Sequence, residues 1–121
     1  MFKVSSQRGE SPASRSPAPP RQVCPHFHGA VELIGRRWAG AILYALADGP
    51  LRFAELTDAV PGMSDRLLST RLKELEQAGL VTREVQPGAR VHVSYSLTDK
   101  GRSLKPLIGD LSDWARRWHP A

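Results

Sequence analysis

Residues 51–97 read LRFAELTDAVPGMSDRLLSTRLKELEQAGLVTREVQPGARVHVSYSL. Phe53, Leu56 and Val60 recur at helical spacing, so the pattern predicts a short helix over Phe53–Val60. Pro61-Gly62 marks a turn. Ser64 is a good N-cap for a second helix that runs to about Ala78, where Ala78-Gly79-Leu80 stops it. Val81 and Val85, then Val91, Val93, Tyr95 and Leu97, alternate with polar residues on either side of Pro87-Gly88. That alternation predicts a two-stranded ribbon with Arg90 and His92 at its tip. Helix, tight turn, helix and ribbon form the order of a winged helix-turn-helix, whose second helix enters a DNA major groove.

The second helix has two distinct faces. With Leu68 at zero and about 100° per residue, Leu72 and Leu75 fall within about 40° of it, on the core side. Arg66, Thr70, Lys73 and Gln77 cluster at about 140° to 200°, with Ser69 on a flank near 100°. The centre of this outward face holds two cations and no carboxylate, which suits groove reading. Arg66 is a candidate for a bidentate pair with guanine or a phosphate, Lys73 for a phosphate or base contact, and Ser69 and Thr70 for hydrogen bonds to either. Backbone amides beside Ser64 at the helix start suit a phosphate, and Arg90 and His92 suit the minor groove or its edges. Arg71 lies beside the core side, where a structural ion pair competes with DNA contact.

Helical patterns flank this stretch. Pro25 suits a first helical position, and Phe27, Ala30, Val31 and Ile34 share one side before Gly35 interrupts. Trp38, Ile42, Leu43 and Leu46 form a second stripe that ends at Asp48-Gly49-Pro50. Thr98 caps a last helix whose stripe holds Leu104, Leu107, Ile108, Leu111, Trp114, Ala115 and Trp118, with a bend expected at Pro106. Two tryptophans on one stripe exceed what a small core needs. They are read as dimer contacts, against the plainer reading that they close the monomer core. The expected class is mainly α with a small β-wing: a winged helix-turn-helix with N- and C-terminal dimerisation helices.

The 121 residues suit one folded domain, assigned to residues 23–121. Residues 1–22 contain SPASRSPAPPR, too poor in apolar groups to offset the entropy of ordering, and are expected to be a disordered Pro/Ser/Arg-rich leader. Such a leader is either a solvated tail or a basic arm on DNA. The chain carries 17 basic and 12 acidic residues, a net charge of +5. The leader holds four of the basic residues and one acidic, so the domain retains a net of only +2. Affinity for nucleic acid must therefore come from local clustering. That modest charge keeps open a second reading, a winged-helix module for protein–protein contact without specific DNA binding. A single cysteine excludes an intrachain disulfide and fits a reducing compartment. With neither a spanning apolar run nor a signal sequence apparent, a cytoplasmic protein without a membrane partner is expected.

GRRW (35–38), LRFAEL (51–56), PGMSDRLLSTRLKELEQAGLV (61–81) and YSLTDKG (95–101), with Cys24-Pro25 ahead of the first helix, resemble the HxlR-type transcriptional regulators, relatives of the MarR winged-helix proteins. The resemblance covers Cys24 to about Trp118. It implies a homodimeric regulator, a repressor in the reading adopted here, on a near-palindromic operator in double-stranded DNA. It also implies that the first and last helices build the dimer, here through Phe27, Val31, Leu107, Leu111, Trp114 and Trp118. The wing departs from the family pattern: Arg90 and Val93-Ser94-Tyr95 stand where relatives carry a proline and a Val-Glu-Tyr run.

Cys24 precedes a helix start, where the dipole favours a thiolate, and Arg21, His26 and His28 lie close in sequence. Members of the family sense oxidants or electrophiles through a cysteine here, so the resemblance makes Cys24 a candidate thiol sensor, with an oxidant or small molecule as effector. The plainer reading is a small buried apolar residue. Cys24-x-His26-x-His28 has poor metal-ligand spacing, so neither metal nor cofactor is expected. No orienting carboxylate or oxyanion element accompanies Cys24, so no enzyme is expected.

Overall fold

The computed structural model describes residues 18–119. The expected leader lies largely outside them; residues 18–24 are exposed and carry no helix or strand. The elements are α1 (Pro25–Gly35), α2 (Ala39–Ala45), a 3-10 turn (Leu46–Asp48), β1 (Leu51–Arg52), α3 (Phe53–Ala59), α4 (Asp65–Gln77), β2 (Val81–Gln86), β3 (His92–Leu97), α5 (Asp99–Arg102) and α6 (Lys105–Trp118).

The core forms where α2, α3 and α4 turn their apolar sides together. Ile42, Leu43, Leu46, Leu56, Leu68, Leu72 and Leu75 are all less than 2% exposed. Burial of such side chains contributes about 1.5–3 kcal/mol each, so the inward face of α4 is strongly specified. Ser64 caps that helix as expected, its Oγ accepting a hydrogen bond from the Leu67 amide at 3.1 Å.

Ala78-Gly79-Leu80 ends α4 by satisfying its last carbonyls. The Leu80 amide donates to the Leu75 carbonyl and the Gly79 amide to that of Glu76, both at 2.9 Å. This Schellman closure needs a left-handed residue, and Gly79 supplies it at φ 78°. Lys100 Nζ donates to the Ala78 carbonyl at 2.8 Å, which adds a cation at the negative end of the helix.

The wing is a three-stranded antiparallel sheet, order β1-β3-β2, where a two-stranded ribbon was expected. Leu51 pairs with Tyr95 and Arg52 with Ser94, so the two residues just ahead of the expected helix form an edge strand. On the other side of β3, Val81 pairs with Leu97 and Val85 with Val93. The Val81–Leu97 end is buried, whereas Val85 is exposed. The wing therefore leaves the core progressively from its root to its tip. Val91 lies in the loop before β3.

The last helical region is two helices rather than one bent helix. Thr98 Oγ1 accepts from the Gly101 amide at 3.1 Å and caps α5 alone. The chain then restarts at Lys105, with Pro106 in the first turn of α6. There proline costs no hydrogen bond, because first-turn amides have no intrahelical acceptor.

The ends of the chain behave unlike its middle. No residue of α1 is buried, and only Ile108 of α6 is. Trp114 and Trp118 are 52% and 61% exposed. The reading in which they close the monomer core is thus overturned: that core is complete without them.

Gly101 packs against the α4–β2 corner so closely that an added Cβ would lie 2.2 Å from the Leu80 carbonyl oxygen. That oxygen already accepts from the Thr98 amide at 3.0 Å. Gly101→Ala is expected to destabilise the fold by about 1–3 kcal/mol through overpacking. A urea midpoint that falls at unchanged slope would bear this out; an unchanged midpoint would contradict it.

Candidate nucleic-acid interface

Burial of Leu68, Leu72 and Leu75 forces the opposite side of α4 into solvent, and Arg66, Ser69, Thr70, Lys73 and Gln77 are all exposed there. The angular placement of these residues therefore agrees with the folded helix. Thr70 Oγ1 donates to the Arg66 carbonyl at 3.0 Å, which leaves its oxygen as an acceptor. The side chains of Arg66, Ser69 and Lys73 hydrogen-bond to no described residue. Ser69, Thr70, Lys73, Glu74 and Gln77 line a shallow concavity on this face.

Ser64 is exposed; its oxygen accepts from the Leu67 amide, which leaves the O–H free to donate to a phosphate. Arg90 is exposed in the loop joining β2 to β3. His92 is the first residue of β3, half-buried and paired with Gln86 in the last β2–β3 pair before that loop, at the tip end of the ribbon.

Arg71 takes the structural role. Its Nε donates to the Arg37 carbonyl at 3.0 Å, and its guanidinium meets Glu74 Oε1 at 3.0 Å. The other oxygen of Glu74 receives Arg36, also at 3.0 Å. Helical spacing indicated the side of α4 on which Arg71 lies. It gave no sign of Arg36, which is 38 positions from Glu74.

Trp38 stands between α1 and α2 with φ 75°, the one non-glycine residue at positive φ among those described. A left-handed tryptophan costs about 1–3 kcal/mol and persists only where packing over-determines it. Its indole packs against the core and reaches the Pro61-Gly62 turn, where a Cβ on Gly62 would lie 3.5 Å from it. The GRRW segment therefore anchors both helices of the helix-turn-helix.

Cys24 is exposed at the N-cap of α1, so the buried apolar reading does not hold. The Cys24 carbonyl accepts from the His28 amide at 2.9 Å, and His28 faces Glu32 at 3.5 Å. Phe27 and Val31, 65% and 50% exposed, lie along the same helix. On α6, Leu107, Leu111, Trp114 and Trp118 form a second exposed apolar stripe. No described helix is long and apolar enough to cross a membrane.

Comparison with known proteins agrees with this architecture. Residues 33–121 match the family model described as HxlR-like helix-turn-helix. The HTH-type transcriptional regulator YvaP of Bacillus subtilis is 46% identical over 97 residues, which cover 80% of this chain and 90% of YvaP. The reduced form of the transcriptional regulator YodB from B. subtilis superposes with a TM-score of 0.73 at 41% identity, covering 82% of this chain and 97% of that one. The redox regulator HypR in its oxidised form gives a TM-score of 0.75 at 35% identity, covering 81% of this chain and all of HypR.

Two neighbouring cations on α4 should respond differently to truncation. Arg71→Ala removes a half-buried clamp and is expected to cost about 1–3 kcal/mol of stability. Lys73→Ala touches only solvent and should stay within about 0.5 kcal/mol of the parent. Thermal melts of both variants check the contrast, and equal losses would refute it.

Proposed function

The chain belongs to the HxlR-like helix-turn-helix family of transcriptional regulators, and on that premise we propose that it is a homodimeric repressor of a near-palindromic operator that responds to oxidants or electrophiles through Cys24. One observation carries the DNA reading: α4 presents Arg66, Ser69, Thr70 and Lys73 to solvent while its other side is locked into the core. Seated in a major groove, this edge offers bidentate and single donors to base edges and phosphates. Arg90 on the wing adds a cation for the adjacent backbone or minor groove.

The exposed stripes on α1 and α6 support the dimer. Phe27, Val31, Leu107, Leu111, Trp114 and Trp118 are all at least 50% exposed, and large apolar side chains grouped on a surface mark an interaction site. Pairing them in a two-fold arrangement presents two α4 helices to successive grooves about 34 Å apart. The two-fold axis of the protein then matches the symmetry of the operator.

The sensing role rests on the exposure of Cys24 at the start of α1. It draws support from similarity to regulators solved in reduced and oxidised forms. With one cysteine per chain, an oxidant that takes two electrons and two protons from two thiols yields a Cys24–Cys24 bridge between chains or a mixed disulfide with a small thiol, whereas an electrophile adds to the thiolate without oxidation.

Gel shifts against DNA flanking the protein's own gene test the DNA reading. A retarded complex that survives random competitor is expected, and absence of preference over random duplex at moderate salt would sink the reading. Replacing Arg66 and Lys73 together with Ala should weaken binding by about tenfold or more while the protein stays dimeric. Indifference to that change would favour a protein-contact module. The Lys73→Ala change alone should reduce the slope of log affinity against log salt by about 1. Diamide should alter operator affinity in the parent and leave Cys24→Ser unchanged; equal responses would remove Cys24 as the switch.

A further inference from the structure

Among the described residues, α1 has no buried side chain, yet its end is tied to α4. Arg36, the C-cap residue of α1, reaches Glu74 Oε2 at 3.0 Å, and Arg71 of α4 holds Glu74 Oε1 at 3.0 Å. Arg71 also donates to the Arg37 carbonyl at 3.0 Å, which fastens the α1–α2 joint to the same helix. Glu74 follows Lys73 directly and lines the concavity shared with Ser69, Thr70 and Gln77. It is thus a carboxylate at the border of the surface proposed to meet phosphates, with each oxygen engaged by a guanidinium.

We propose that Arg36 is a positioning residue for DNA binding that acts through Glu74, and that this link makes the placement of α1 a determinant of operator affinity. This inference rests on the reading of α4 as the groove helix. With Arg36 in place, the single negative charge of Glu74 meets two guanidinium groups, Arg36 at one oxygen and Arg71 at the other. Without Arg36 the carboxylate keeps only Arg71, so a phosphate approaching the concavity that Glu74 lines meets a less screened negative charge. The side chain of Trp38, packed on the core and close to Gly62, anchors the residue that follows the Arg36-Arg37 joint.

A double-mutant cycle on the full chain tests this, with the probe a duplex that the parent protein selects from random DNA. Arg36→Ala should weaken binding about fivefold or more, within the usual range of coupling between sites. Glu74→Gln should bind as well as the parent or better. In the Glu74→Gln background, Arg36→Ala should change affinity by less than about twofold, because the charge it screened is gone. Melting temperature and dimer content are measured on each variant, and Arg36→Met, which keeps the aliphatic stem, replaces Arg36→Ala if the latter loosens the fold. Equal losses from Arg36 truncation in both backgrounds would mean direct phosphate contact and overturn the proposal. So would an absence of effect in either background. Failure of the parent to select any duplex would instead overturn the DNA reading itself.

Discussion

Everything on the surface of this protein depends on the packing of one side of α4. Leu68, Leu72 and Leu75 meet Ile42, Leu43, Leu46 and Leu56 at essentially complete burial. A rotation of the helix by a fraction of a turn would expose leucines and bury polar groups, each at a cost of kilocalories. The outward direction of Arg66, Ser69, Thr70 and Lys73 is thus a consequence of the core, not a separate feature. The cap at Ser64 and the Schellman closure at Gly79 fix the axial limits of the same helix. Precision of this kind suits a side chain that must meet a base edge.

The core that orients α4 is also complete without the ends of the chain. α1 and most of α6 contribute little to it and keep their aromatic and aliphatic stripes in solvent. A single chain is therefore a finished reading head with unfinished flanks. Under the proposed dimer, those flanks set the spacing between two heads, and the GRRW joint transmits that spacing to α4 through Arg36, Arg37 and Arg71. Cys24 stands at the far end of the same helix α1, so a chemical change there and the clamp at Glu74 would act on one lever.

Legibility in the sequence followed the range of the interaction. Local devices were readable: the 3.6 period of α4, the Ser64 cap, the glycine after Ala78, and the alternation that pairs Val81 with Leu97. β1 was not, because Leu51 and Arg52 are too few to show a period and their partners, Tyr95 and Ser94, are more than forty residues away. The apolar stripe continues across Pro106, so the sequence alone suggests one bent helix. The break lies instead between two helices: Thr98 opens α5, which ends at its C-cap Ser103, and the chain restarts at Lys105. Arg71 was placed beside the core by angle alone, and it lies there. Its partner Glu74 lies on the same helix, but Arg36 caps the end of α1 and leaves no periodic trace in α4. The same alternation puts His92 at the tip end of the ribbon, where it pairs with Gln86.

The central claim is that two copies of α4 read one duplex from a two-fold dimer. A hydroxyl-radical footprint on a selected duplex tests it most directly. The account predicts two symmetric protected patches separated by one helical turn, about 34 Å, or a whole multiple of it. A single unpaired patch, or uniform weak protection along the duplex, would contradict it.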